Sequence, residues 1–81
     1  MACHHEVLEA AQEIVAIKGK NEFAPIEVVR FLQERGTQYA ESSIRTHVVS
    51  RCCVNAPPHH GVRYSYFERI GKGRYRILQN E

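Results

Sequence analysis

The spacing of apolar residues changes once along this chain, and that change limits the folds open to it. From Glu6 to Lys18, Val7, Leu8, Ala11, Ile14 and Val15 recur at helical intervals among Glu6, Glu9, Gln12 and Glu13. Gly19 stands where such a helix stops. Pro25 marks a second start, because proline at the first helical position forfeits no hydrogen bond and already holds the right φ. Ile26, Val28, Val29, Phe31 and Leu32 then cover a broad arc, ending at Glu34-Arg35-Gly36. A short connection, 37–40, leads to a third helix, Glu41 to Cys53, whose inward stripe is Ile44, Val48 and Cys52. Beyond a loop over 54–65 carrying Asn55, Pro57, Pro58 and Gly61, the helical period disappears. Tyr66 to Ile70 and Arg74 to Leu78 are aromatic and β-branched runs around Gly71-Lys72-Gly73, the pattern of a β-hairpin.

A two-stranded hairpin is marginal alone, so it must pack on the helices. The economical solution is an α+β fold, a winged helix-turn-helix: a three-helix bundle with a C-terminal β-hairpin wing. The predicted helices cover about 5–18, 25–35 and 41–53, the wing about 66–78, and residues 1–81 form a single domain. Between the first two helices, Phe23 is expected to be a short strand or a buried anchor. Val7, Ile14 and Ile17 of the first helix offer a surface through which a second copy could bind; the oligomeric state is left open.

Charge is unevenly placed. Residues 1–40 hold four cations against six glutamates, a net −2, whereas residues 41–81 hold seven cations against three glutamates, a net +4. A basic half beside an acidic half points to a polyanionic partner. No apolar run approaches the roughly 20 residues that cross a bilayer, and no signal-peptide core is present, so a cytoplasmic, nucleoid-associated protein without a membrane partner is expected. Three cysteines, two of them adjacent, make a disulfide framework a poor reading. Asp is absent, so catalytic carboxylate pairs would have to be built from glutamates, most of which lie on the solvent faces of the first two helices. Neither Cys53 with His47 nor Cys52 with His59 lies in a nucleophile motif. We expect no enzyme.

On the third helix, Ser42, Ser43, Thr46, Ser50 and Cys53 project opposite the core stripe, with Arg45 and Val49 beside them. Small hydroxyl side chains allow close approach to a major groove, and Arg45 can pair with guanine or phosphate. On the wing, Lys72 between two glycines and Arg74 beside them suit phosphate contact, with Arg63 joining from the loop. Arg69 and Arg76 suit either DNA contact or a charged strand edge that resists aggregation. Double-stranded DNA is therefore the expected partner. The alternative is a winged helix turned toward a protein, through an apolar patch of Val49, Tyr64, Tyr66 and Phe67. Cys3, His4, His5, His47, Cys52, Cys53, His59 and His60 could ligate a metal, but their pairs are adjacent rather than spaced for one tetrahedral ion, and no metal or other cofactor is expected.

Glu27 to Leu32, Gly36 to Tyr39, Glu41 to His47 and Arg69 to Ile77, together with Asn55-Ala56-Pro57, resemble a bacterial winged-helix family found alone or fused to restriction-type endonucleases. The resemblance covers about residues 23–78. It implies DNA binding through the third helix and wing, as a regulator or as a targeting or modified-DNA-reading module of a restriction-type system. A nuclease domain or subunit would then be a second partner. It implies no catalysis by this segment, which carries no nuclease motif.

Overall fold

The computed structural model describes residues 3–54 and 64–78. Helix α1 spans Cys3–Lys18, α2 Pro25–Glu34 and α3 Glu41–Thr46, the last continuing directly into a π-helical turn, His47–Arg51. Strands β1 (Phe67–Gly71) and β2 (Arg74–Ile77) follow as an antiparallel pair. The protein is thus α+β, three helices followed by a C-terminal hairpin, an arrangement compatible with a winged helix.

The core joins all three helical stripes. Val7, Ala10, Ala11 and Ile14 of α1 meet Val28, Val29 and Leu32 of α2, with Ile44, Val48 and Cys52 closing the third side. Val7 and Ile14 are therefore spent on the fold, and of the three residues offered for self-association only Ile17, 77% exposed, faces outward. The ends of α2 follow local chemistry. Ala24 has no side chain to cap the helix, but Glu27 Oε1 accepts the Ala24 N–H at 2.7 Å and a proton of Lys18 Nζ at 2.9 Å. At the other end Gly36 takes φ +77°, so that its N–H reaches the Gln33 carbonyl and that of Thr37 the Leu32 carbonyl. This pair of bonds is a Schellman stop.

The hairpin is bulged at Ile70, between the pairs Arg69–Tyr75 and Gly71–Arg74, and turns through Gly73 at φ +68°. Its base is held on both sides. Phe23 is both strand and anchor: its N–H and carbonyl exchange bonds with Tyr75 at 2.9 and 2.8 Å, while its ring meets Phe67 edge-on, with 4.9 Å between centroids. Two residues earlier, the Asn21 side-chain amide does what a backbone would, donating to the Ile77 carbonyl and accepting the Ile77 N–H, each at 2.9 Å. On the other side, Phe67 N–H donates to Cys52 and its carbonyl accepts from Val54.

The third helix departs from the expected α-helix over 41–53. From His47 onward the turn widens, and Cys52 N–H bonds to the carbonyl of His47, five residues back, at 2.8 Å. Cys52, Cys53 and Val54 leave the helix to bridge with Phe67. Cys53, expected on the outer arc by projection at 100° per residue, is consequently buried.

Candidate nucleic-acid interface

The outer side of the third helix is polar. Ser42, Ser43, Arg45 and Thr46 are exposed, as is Val49, while Ser50, within the π turn, is half-buried. Burial of Ile44 and Val48 fixes the helix's rotation, so these side chains have no alternative face. Arg45 is not free in the unbound molecule: its Nε donates to Glu41 Oε2 at 2.9 Å, one helical turn back. His47 Nδ1 lies 2.8 Å from the Ser43 carbonyl, which can only accept, so the ring carries its proton there.

The wing places its cations differently. Lys72 is exposed at the tip and makes no ion pair among the described residues. Arg74 pairs with Glu22 at 3.1 Å, and Lys20 grips the same carboxylate at 2.9 Å. The hydrogen bond from Lys20, and then the charges of Lys20 and Arg74, hold the Glu22 carboxyl below its ordinary range against the opposing effect of burial. Arg76 pairs with Glu68 across the strands, and Arg69 Nε donates to the Gly71 carbonyl at 3.2 Å. Arg63 lies outside the described residues. Helix and wing are joined at their bases through the Cys52–Phe67–Val54 bonds. The glutamates Glu22 and Glu41 were missed by sequence reasoning. The i, i+4 spacing of Glu41 and Arg45 was a usable signal; nothing local links Glu22 to Arg74.

The three thiols and the His4 ring are absorbed by packing. Cys3, Cys52 and Cys53 are buried free thiols. Burial, followed by the neighbouring Cys3 and Cys53, pushes the Cys52 thiol up to about 12. His4 stacks on Tyr64 with ring centroids 3.9 Å apart, and its Nδ1 is 3.3 Å from the Tyr66 hydroxyl. Burial, then the proximity of His5 and His47, lowers its pKa. Among the described residues no three His, Cys or Glu converge to hold a metal; His59 and His60 lie outside them. The apolar patch expected of a protein-binding surface is broken up: Phe67 is fully buried, Tyr64 and Tyr66 pack against the core, and Val49 faces outward. No helix among the described residues is long and apolar enough to cross a membrane.

Residues 5–77 match a family model described as Domain of unknown function (DUF7669). No curated protein and no solved structure matches the chain.

Proposed function

The chain belongs to this family of domains of unknown function, and we propose that it binds double-stranded DNA, laying the outer face of its third helix in the major groove and the wing tip on the flanking backbone. The observation that carries the reading is the exposed stripe of Ser42, Ser43, Arg45 and Thr46, held at fixed rotation, on a helix whose base is tied to a hairpin tipped by Lys72, which makes no ion pair among the described residues. Small hydroxyl residues permit backbone-close approach, and a guanidinium among them can read guanine or hold phosphate. Arg74 adds a phosphate contact, as would Arg63, which lies outside the described residues, and Ser50 stands at the edge of the stripe. Burial of Phe67 supports this reading over the protein-binding one, since it removes the aromatic member of the apolar patch that has no polar group.

Two finer roles fit such a module: a regulator acting at a DNA site, or the targeting part of a restriction-type system that recognises modified DNA beside a nuclease domain or subunit. Either would work on nucleoid DNA in the cytoplasm, without catalysis by this domain.

Fluorescence anisotropy of a random-sequence duplex tests the reading. With five to seven cations on phosphates, log affinity should fall against log salt with a slope of about −5 to −6. Arg45→Ala and the double variant Lys72→Ala/Arg74→Ala should each weaken binding about 5- to 150-fold, about 1–3 kcal/mol. Absence of binding to any duplex at low salt would reject the proposal and return the protein-binding winged helix to first place.

A further inference from the structure

We infer that Val49 reads the 5-methyl group of a pyrimidine in the major groove, a reading that rests on the DNA-binding function proposed above. Val49 is the exposed apolar member of an otherwise polar face. It stands four residues after Arg45 and seven after Ser42, so it continues their stripe toward the helix's C-terminal end. Among the described residues Val49 is not one of those packed in or against the core. Its neighbour Val48 fills the core, and a β-branched residue on a solvated helix is a poorer helix former than alanine, lysine or glutamine. Its place in the middle of the π turn also sets it apart, because such turns, an uncommon feature, recur at functional positions.

A side chain without donor or acceptor cannot read the hydrogen-bonding edge of a base. The major groove presents it with one apolar feature, the methyl group at pyrimidine C5, carried by thymine and by 5-methylcytosine. Contact would withdraw the valine methyls and the base methyl from water together, while Arg45 and the hydroxyls satisfy the polar edges alongside. Among the described residues the other exposed large apolar side chains, Ile17 and Ile70, lie on α1 and β1 and take no part in this stripe.

The test uses the full chain and four versions of one random-sequence duplex pool, pairing either thymine or uracil with either cytosine or 5-methylcytosine. Wild type should lose about fourfold in affinity when the contacted methyl is absent, the factor carried by one buried methyl-sized group. Loss on replacing thymine by uracil identifies thymine as the source. Gain on introducing 5-methylcytosine into the uracil pool identifies the modified base. Val49→Ser and Val49→Ala should bind all four pools alike while keeping the wild-type salt slope and melting temperature. Salt-sensitive wild-type binding that ignores the methyl groups would overturn the inference and leave the DNA-binding function standing, as would variants that keep the full methyl dependence. No binding to any pool would overturn both.

Discussion

At the scale of single residues, two cations of the candidate interface are stored as ion pairs. Arg45 rests on Glu41 and Arg74 on Glu22, so each must exchange a carboxylate for a phosphate or a base when DNA arrives. The Arg45–Glu41 pair is largely solvated and contributes little to stability, whereas Glu22 beneath Arg74 is only 15% exposed; both glutamates are negative charges beside the proposed anion surface. Glu41→Gln should therefore raise DNA affinity severalfold at low salt, with the gain fading as salt screens it; an anisotropy titration at two ionic strengths checks this. Cys52 makes a second prediction. Its neutral thiol is favoured by the fold, rising from the ordinary 9.0 to about 12, so its contribution to stability is whole below pH 9 and is lost as pH climbs toward the folded value. The melting temperature should fall above pH 9. Burial raises Tyr75 and Tyr66 as well and shares the loss, so Cys52→Val should flatten the alkaline limb without abolishing it.

At the scale of elements, what the sequence disclosed was whatever local chemistry decides. Pro25 starts α2, and Gly36, in a conformation that a side chain resists, stops it. The Gly-Lys-Gly turn was legible because its glycine at Gly73 takes a left-handed φ. The inward stripe Ile44, Val48 and Cys52 was legible because all three are buried at helical spacing. Partners distant in sequence stayed hidden. The π turn widens where Cys52 and Cys53 are drawn toward Phe67, a tertiary demand with no local signature, and the burial of Cys53 follows from it. Of the candidate site, the exposure of Ser42, Ser43, Arg45, Thr46 and Lys72 agrees with the projected faces, whereas the acidic partners of Arg45 and Arg74 come from the fold. Asn21 is the clearest hidden element, a side chain that extends a strand pair. Asn21→Ala would leave both polar groups of Ile77 seeking water, and should cost about 1–3 kcal/mol in chemical denaturation. Asn21→Asp keeps the acceptor but loses the donor, and should fall between the two.

At the scale of the whole molecule, the hairpin and the first helix are not appendages to a bundle. Phe23, Phe67 and Tyr75 belong to the same core as the helices, so helices and wing should unfold in one transition, with coincident loss of far-ultraviolet ellipticity and tyrosine fluorescence. The contacts of Tyr66 extend this unity to the two edges of the described chain. His4, near the start of α1, meets the Tyr66 hydroxyl, and the N–H of Leu78, just beyond β2, donates to the Tyr66 carbonyl at 2.8 Å. Entry and exit therefore lie beside one tyrosine, on one side of the molecule. A topology of this kind behaves as a plug-in cassette. Circular permutation, closing residue 78 onto residue 3 with a short Gly/Ser linker and opening the chain between Gly19 and Lys20, should yield a protein with the parent's circular dichroism and nearly its melting temperature. By the same geometry, the domain could be spliced into a surface loop of a larger host without prying that loop's two stems apart.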